Sequence, residues 1–314
     1  MPEPEEDWRS WHLHLATAAP AAHDRAIVGA VRSLAATAPR ARYFFVRYWQ
    51  GGPHVRLRVA GLDDERAGPV EAALAGALAL ANAAVPGEPP LDPAGYRERA
   101  ARLAEAGEGA GPLAVEPLRP PGVHRAVYEP ELSRYQGPQH MARSEALFQL
   151  SSRITAGLLS AGAGPGTRAA AALQATAIAM AALDGGPEEA RRFIEGATSA
   201  WRGWADGLGR TGPARARVEQ VAGENARRLT AAGGWPGAAG NGRPWRLWAE
   251  GLGAAVPVWR GPEGSAQRAR RVVHAHVHMF HNRLGLTGQG ELLSYLTLAR
   301  ALEQPPLPAA GGAR

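Results

Sequence analysis

Residues 42–60 read RYFFVRYWQGGPHVRLRVA, and they decide the fold of the N-terminal part of this chain. Two runs rich in aromatic and β-branched residues, 42–49 and 54–60, flank the sequence Gln50-Gly51-Gly52-Pro53. The glycines supply the φ freedom that a tight reversal needs, and the proline interrupts the ladder of strand hydrogen bonds. The stretch therefore predicts a β-hairpin.

The sequence before the hairpin alternates between strand and helix patterns. Trp11-His12-Leu13-His14-Leu15 alternates apolar and polar side chains, as a half-buried strand does, and residues 21–37 have helical spacing. Together with the hairpin, these segments predict a split β-α-β unit.

The sequence after the hairpin continues this alternation. Four segments follow: a helix over about 65–84 that Asp63 or Asp64 can cap, a short charged helix at 96–105, and strands at Val115 and at 123–128. The resulting β-α-β-β-α-β order predicts a ferredoxin-like sheet.

From about residue 139 the pattern is helical almost throughout, with glycine and proline breaks at 162–166, 185–187, 207–213, 233–244 and 261–264. Helices separated by such breaks are typical of a bundle. The expected fold class is therefore α+β. We expect a sheet region at 1–135, a mostly helical region packed on it at 136–304 and a disordered tail at 305–314, together a single domain.

The composition excludes several classes of chemistry. The 314 residues include no cysteine, and all 35 cationic side chains are arginine because lysine is absent. Thiolate nucleophiles, Schiff-base lysines and P-loops are thus excluded. The net charge is +6, and the 29 acidic residues are interleaved with the arginines along the sequence. No direct nucleic-acid partner is therefore expected. No apolar stretch approaches the roughly 20 residues of a membrane helix, and we expect a cytoplasmic protein without membrane or cofactor.

The second strand of the hairpin carries the first candidate site. With a period of two residues, His54, Arg56 and Arg58 share one face of this strand, and the apolar residues between them share the other. Two guanidiniums about 7 Å apart along a strand can hold a carboxylate with paired donors. Arginines at such positions can equally face water on a half-buried sheet.

The second candidate site lies in YEPELSRYQG, residues 128–137. Glu131 and Arg134 are three positions apart and would meet on a helical turn, most often as a weak surface pair. Tyr128 and Tyr135 flank this pair, and proline and glycine fix the turn, so a shaped site is expected here.

The third candidate is HAHVHMFHNRLG, residues 274–285. On a helix, His274, His278 and His281 share one face; on a strand, His274, His276 and His278 do. The segment contains no acidic residue and matches no known zinc spacing, so no metal is expected. A single histidine that carries a proton is better supported, because imidazole titrates near neutral pH.

Three strings, FFVRYWQGGPHVRLR, YEPELSRYQG followed by SEALF, and HMFHNRLG, occur in this order between residues 44 and 285. In order and spacing they resemble the landmarks of the C-terminal elimination domain of lantibiotic dehydratases, a family that includes stand-alone thiopeptide-type bacteriocin biosynthesis proteins. The resemblance covers nearly the whole chain.

This resemblance implies an enzyme of thiopeptide or lanthipeptide antibiotic biosynthesis. Such a lyase expels glutamate from glutamylated Ser or Thr of a leader-bearing precursor peptide, leaving dehydroalanine or dehydrobutyrine, after a separate dehydratase subunit has added the glutamate. Carried over by motif, the expected catalytic residues are His278 as acid or base, Arg56, Arg58 and Arg134 as carboxylate ligands, and Glu131 beside them. The expected substrate-binding residues are His54, Tyr128, Tyr135 and Arg283.

Two positions depart from the family pattern. Gln136 stands where glycine is usual, and Ser151 stands where aspartate usually precedes Ser152. Two alternatives therefore stay open. The family also contains thiopeptide pyridine synthases, which join two dehydroalanines in a formal aza-cycloaddition and release the leader. The other alternative is a non-catalytic module that binds the leader peptide along a sheet edge.

Overall fold

The computed structural model describes residues 7–83, 85, 87–106, 114–207, 212–231 and 242–303. These residues form two compact units. The first comprises the described residues of Met1–Ala163 together with Asn282–Gly285, and the second comprises those of Gly164–His281 and Leu286–Arg314. A domain boundary at residue 135 stays a prediction.

Within the described part of the first unit, the chain forms a four-stranded antiparallel sheet. The strands are β1 (Trp8–His14), β2 (Arg42–Tyr48), β3 (His54–Ala60) and β4 (Gly122–Ala126), in the order β2-β3-β1-β4. This order is the one that a ferredoxin-like β-α-β-β-α-β chain produces, so the predicted α+β fold is confirmed.

The hairpin between β2 and β3 turns where the sequence predicts. Gly51 and Gly52 have φ angles of 72° and 101°, in the left-handed region that favours glycine. A side chain at Gly52 would be strained by this φ angle, and its Cβ atom would also displace a methyl group of Leu118 that lies 2.6 Å away.

Two helices, α1 (Pro20–Thr37) and α2 (Asp64–Ala81), pack on one face of the sheet. The side chain of Asp63 caps α2 by accepting a hydrogen bond from the Arg66 amide at 2.8 Å. The core between sheet and helices is built from the apolar alternates of the strands, which include Trp11, Leu13, Phe45, Val55, Leu57 and Val59. This packing leaves the opposite face of the sheet for polar side chains.

The connection from α3 (Pro93–Ala106) to β4 corrects one strand prediction. Val115 lies in no strand, because residues 114–121 are irregular and include Pro117, Pro120 and Pro121, which cannot donate to a ladder. The strand predicted at 123–128 exists but spans Gly122–Ala126.

The turn at residues 132–137 leads through a short 3-10 helix, Pro138–His140, into α4 (Met141–Ser160). Gln136 adopts a φ of 66° in this turn, and Gly137 follows with 101°. A non-glycine residue in the left-handed region costs roughly 1–2 kcal/mol. The departure from the family pattern at position 136 therefore leaves a strained residue beside the second candidate site.

Replacing Gln136 by glycine is expected to raise the free energy of unfolding by about 0.5–1 kcal/mol, because the strain is removed. Urea denaturation followed by circular dichroism measures the change. Asp184→Gly is the matched control: Asp184 has a φ of 48°, but aspartate tolerates this region, so a smaller gain is expected. A lower stability of Gln136→Gly would contradict the strain.

The described part of the second unit is helical, as predicted. Its helices are α5 (Pro165–Ala182), α6 (Gly186–Gly207), α7 (Pro213–Ala231), α8 (Arg243–Arg260), α9 (Ala266–Leu284) and α10 (Gly288–Glu303). Helix α10 packs against α5, α6 and α7, and α5 packs against α8. The ring of Phe280 on α9 lies edge-on to Trp248 on α8, with centroids 5.1 Å apart.

Three of the sequence predictions fall wholly or mostly outside the described residues, namely the disordered tail at 305–314 and the breaks at 207–213 and 233–244. Among the helices that are described, none combines the length and the apolar character that crossing a membrane requires.

Candidate functional site

The face of the sheet away from α1 and α2 carries the first predicted site. The β1–β3 register pairs Ser10 with Arg58, His12 with Arg56 and His14 with His54. Because side chains alternate along a strand, all of these lie on the face opposite the apolar core.

Arg58 is a buried cation of this face. The residue is only 7% exposed, and its Nε and Nη1 atoms have no hydrogen-bond partner among the described residues. Its Cζ atom lies 5.5 Å from the ring centroid of Tyr128 and 5.9 Å from that of Phe44. A buried charge without a counterion is strongly destabilising, so this arrangement indicates a place for an anion.

Arg283, from the end of α9, belongs to the same unit and is also buried, with 1% exposure. Its Nε donates to the Ser152 hydroxyl at 3.0 Å, whereas Nη1 and Nη2 have no partner in the described structure. Its Cζ atom lies 5.3 Å from the centroid of Phe148. We call Arg58 and Arg283 the arginine pair.

Side chains from distant segments hold Arg283 against the edge strand β2. The side-chain amide of Asn282 accepts a hydrogen bond from the backbone N–H of Arg47 and donates one to the backbone carbonyl of Arg47, both at 2.9 Å. It thus pairs with the edge strand as a neighbouring strand would. The Arg47 side chain donates to the Arg283 carbonyl at 3.0 Å. The Ser152 hydroxyl, which binds Arg283, also accepts from the Phe45 amide at 3.1 Å.

The electrostatics of the arginine pair favour an anionic ligand. Burial, together with the nearby charges of Arg56 and Arg283, lowers the pKa of Arg58 to about 9. Burial likewise lowers the pKa of Arg283 to about 10. Both groups stay cationic at pH 7, so two buried positive charges stand close together with unpaired donors.

Aromatic rings surround the arginine pair. Neighbouring rings of this group contact one another with centroid distances of 4.7–6.2 Å. This aromatic cluster consists of Trp8, Phe44, Tyr128, Tyr135 and Phe148. Burial raises the pKa of both tyrosines well above the ordinary value, and Glu145 adds to the rise for Tyr128. Both phenols are therefore neutral hydroxyl groups at pH 7, and the Tyr128 hydroxyl donates to the Glu145 carboxylate.

Arg134 and Glu131 meet as the sequence predicts. The Arg134 Nη1 atom lies 2.7 Å from a carboxylate oxygen of Glu131, and their side chains are 32% and 59% exposed. The charge of Glu131 raises the pKa of Arg58, so this ion pair lies close to the arginine pair. Their roles toward a substrate stay predictions.

Arg56 has different neighbours from Arg58. Its Cζ atom lies 3.4 Å above the ring centroid of Tyr48, and its Nε donates to Nε2 of His54 at 3.3 Å. Among the arginines of the described chain, Arg283 and not Arg56 is buried with Arg58 beside the aromatic cluster. Sequence spacing could not identify this partner.

Three imidazoles, His12, His14 and His54, occupy the same face, and we call them the histidine cluster. The ring of His54 stacks on His14 and on His12 at centroid distances of 4.3 and 4.9 Å. Burial lowers the pKa of all three, to about 3 for His12, 4 for His14 and 2 for His54, and neighbouring charges contribute. His12 and His14 were not expected as site residues, because their proximity to His54 depends on the strand register.

In the second unit, His278 forms a pair with a buried glutamate. Its Nδ1 atom lies 3.0 and 3.2 Å from the two carboxylate oxygens of Glu291. Glu291 is 2% exposed and also accepts a hydrogen bond from the Tyr295 hydroxyl at 3.0 Å. The contact assigns the ring hydrogen to Nδ1 and leaves Nε2 as the basic nitrogen.

The two histidine neighbours of Glu291 keep its carboxylate ionised. Burial raises its pKa, but His278 and His281 lower it more, so the net pKa lies well below the ordinary range. The α9 face predicted from the sequence is confirmed, because His274 and His281 both lie beside the Tyr295 ring of α10. Glu291 itself was missed, because a glutamate in the first turn of a helix ordinarily complements the helix dipole.

The structure thus brings together four predicted residues in the first unit: Arg58, Tyr128, Tyr135 and Arg283. It places His54 with Arg56, and Glu131 with Arg134. His278 belongs to the second unit, and its convergence with the arginines stays a prediction.

Solved structures of three proteins share the fold of this chain. The pyridine synthase TbtD from thiomuracin biosynthesis matches with a TM-score of 0.68 and 21% identity over 95% of this chain and 98% of that one. TsrL matches with a TM-score of 0.62 and 14% identity, covering 95% of each chain. The tRNA-dependent lantibiotic dehydratase MibB from Microbispora sp. 107891 matches with a TM-score of 0.57 and 20% identity over 96% of this chain and 28% of its own.

A comparison with curated proteins finds no significant match. The sequence does match a family described as "Lantibiotic biosynthesis dehydratase C-term", over residues 8–302. This match spans the sheet, the arginine pair and the His278–Glu291 pair. The chain therefore belongs to the lantibiotic dehydratase C-terminal family and is an enzyme in the biosynthesis of ribosomally made, post-translationally modified peptides.

Proposed function

We propose that this protein eliminates glutamate from glutamylated Ser or Thr residues of a precursor peptide and produces dehydroalanine or dehydrobutyrine. The observation that carries the proposal is the arginine pair, two buried guanidiniums whose Nη1 atoms make no hydrogen bond within the described part of the chain. Glutamate carries one free carboxylate while it is esterified and gains a second as it departs, so its carboxylates supply the negative charge that this place lacks.

The reaction requires three things of the protein. A base removes the α-proton of the modified residue, a double bond forms between Cα and Cβ, and the bond from Cβ to the ester oxygen breaks as glutamate departs with the electron pair. A departing carboxylate is stabilised by fixed donors in a place from which water is excluded. Arg58 and Arg283 would provide these donors, and Tyr128 and Tyr135 would add neutral hydroxyl groups.

Arg56, Arg134 and Glu131 take supporting roles in this proposal. Arg134, held by Glu131 at 2.7 Å, would meet the second carboxylate of the glutamyl group. Arg56 would add positive charge next to Arg58 and contact the substrate together with His54.

His278 would carry the proton, with Glu291 as its positioning residue. A carboxylate that holds Nδ1–H fixes the tautomer and the orientation of the ring, so Nε2 can accept a proton and then return it. We further infer that the precursor peptide arrives already glutamylated by a separate subunit, in the cytoplasm where aminoacyl-tRNA is present.

Mass spectrometry of a synthetic glutamylated serine peptide after incubation with the purified chain tests the proposal. We expect dehydroalanine and free glutamate in equal amounts. Ester hydrolysis would instead return serine, and this product, or unchanged peptide, would contradict the elimination. A peptide with unmodified serine serves as the control.

Pyridine synthesis is the second candidate, because the pyridine synthase TbtD matches this chain over 98% of its own length. A peptide that bears two dehydroalanines distinguishes the candidates. Macrocycle formation with release of the leader would select the synthase. Binding of leader without conversion of either peptide would instead select a non-catalytic module.

A further inference from the structure

We propose that the histidine cluster, His12, His14 and His54, is a binding site for one divalent transition-metal ion, with zinc as the best fit. The cluster is distinct from the arginine pair, and its proposed ligand has the opposite charge. This inference does not depend on the elimination reaction.

The strand register builds the site. His12 and His14 are two positions apart on β1 and therefore point to the same face, and His14 is paired directly with His54 on β3. The ligand nitrogens of the three rings all lie within 4.8 Å of one another. Tetrahedral zinc with bonds of 2.0–2.1 Å needs nitrogens about 3.3 Å apart, so the stacked rings must turn about their χ1 and χ2 bonds to direct their nitrogens at one ion.

The ring of His14 has no other use in the described structure. It is 2% exposed, and neither its Nδ1 nor its Nε2 makes a hydrogen bond of good geometry among the described residues, although the Gly51 backbone is close enough to raise its pKa. A buried imidazole with both nitrogens unpaired is destabilising, and a metal ion at this place would offset that cost.

His54 already has the second contact that is typical of a metal ligand. Its Nδ1 lies 2.8 Å from the Gly52 carbonyl oxygen, which assigns the hydrogen to Nδ1 and leaves Nε2 for the ion. The glycine turn thus orients this imidazole.

The neighbourhood defines the kind of metal site. Three histidines without cysteine suit zinc, copper or nickel rather than magnesium or calcium. His12 is only half-buried, which leaves a fourth position for water or an anion. Arg56, whose Nε contacts His54 Nε2 at 3.3 Å, competes for that nitrogen and repels a cation, so it limits the affinity.

Metal titration of the full chain, with any affinity tag removed and metal stripped by a chelator, tests the site. Zinc is added in competition with a chromophoric chelator, and cobalt absorption in the visible range reports the coordination. Because the chain has no cysteine, any such spectrum arises from nitrogen and oxygen ligands. We expect one equivalent of zinc to bind with a Kd of micromolar or lower.

Three variants locate the binding. His12→Ala and His54→Gln should each weaken zinc binding at least about 100-fold. Removing a group that only hydrogen-bonds to a metal ligand already costs up to about 100-fold in affinity, and loss of the ligand itself should cost no less. Arg56→Gln should strengthen binding several-fold, because it removes the competing donor. His140→Ala, outside the cluster, is the matched control and should bind as the native chain does.

Circular dichroism checks that each variant is folded. Of the two histidine variants, His12→Ala is less disruptive to the fold, because His12 is half-buried and His54 is buried. Absence of saturable binding to the native chain would overturn the proposal. Native zinc affinity in both His12→Ala and His54→Gln would also overturn it, because the ion would then lie elsewhere. Since binding is measured without turnover, failure here leaves the proposed elimination untouched.

Discussion

Replacing Arg58 or Arg283 by methionine is expected to slow glutamate elimination at least about 100-fold, so that glutamylated peptide accumulates. Loss of one preorganised donor to a developing anion ordinarily costs 10²–10³ in rate. Several nitrogens of these guanidiniums make no hydrogen bond among the described residues, so the loss should fall on the departing carboxylate rather than on the fold. Single-turnover assays by mass spectrometry measure the rate of glutamate release.

Stability provides the discriminating control for this pair of variants. Replacing a buried, uncompensated charge by an apolar side chain is often neutral or stabilising. We therefore expect the Tm of both variants to equal or exceed that of the native chain while activity falls. Arg102→Gln, an arginine with a 57% exposed side chain on α3, should change neither quantity. Native activity in Arg58→Met or Arg283→Met would exclude the arginine pair from the reaction.

The second large effect is expected at the His278–Glu291 pair. His278→Ala should lower the elimination rate about 10²–10⁴-fold, the usual loss for a general acid or base. Glu291→Gln keeps the shape of the side chain but not its charge, and it should lower kcat about 10–100-fold with little change in KM. A fall in KM alone or native turnover in both variants would contradict the assigned roles.

The same glutamate predicts a pH dependence of stability. Its pKa in the folded chain lies below the ordinary value of 4.5, so its charge stabilises the fold above that pH. This contribution is lost as the pH falls below about 4.5 toward the folded pKa. Urea denaturation between pH 3 and pH 7 should therefore show a steeper loss in the native chain than in Glu291→Gln. Parallel curves for the two proteins would contradict the depressed pKa.

The hairpin shows how much of the fold local sequence determines. Alternation with a period of two placed His54, Arg56 and Arg58 on one face, and the glycines of the turn fixed where the chain reverses. These are local properties, and a single sequence carries them. Val115 was wrongly predicted as a strand because its β-branched side chain was given more weight than the prolines that follow it.

The partners within the site were harder to predict because they come from distant segments. Arg283 reads as a polar residue at a helix end, yet it is 1% exposed, because Asn282 and Ser152 hold its segment on β2. His12 likewise reads as the polar side of an amphipathic strand until the register places it beside His54. Burial and register are tertiary properties, and spacing along one chain does not encode them.

Of the two departures from the family pattern, one now has a structural consequence. Gln136 keeps the left-handed backbone that a glycine would adopt freely. At the other departure, the Ser151 hydroxyl donates to carbonyls of its own helix, and the retained Ser152 alone reaches Arg283.

The most direct test of the central claim is a crystal structure of the chain with a peptide in which the glutamyl ester is replaced by a stable amide. We predict the amide carbonyl oxygen, which stands in for the departing carboxylate, between Arg58 and Arg283 within about 3 Å of nitrogens from both guanidiniums, and the free glutamyl carboxylate at Arg134. A glutamyl group bound elsewhere, with both guanidiniums still unpaired, would contradict the account.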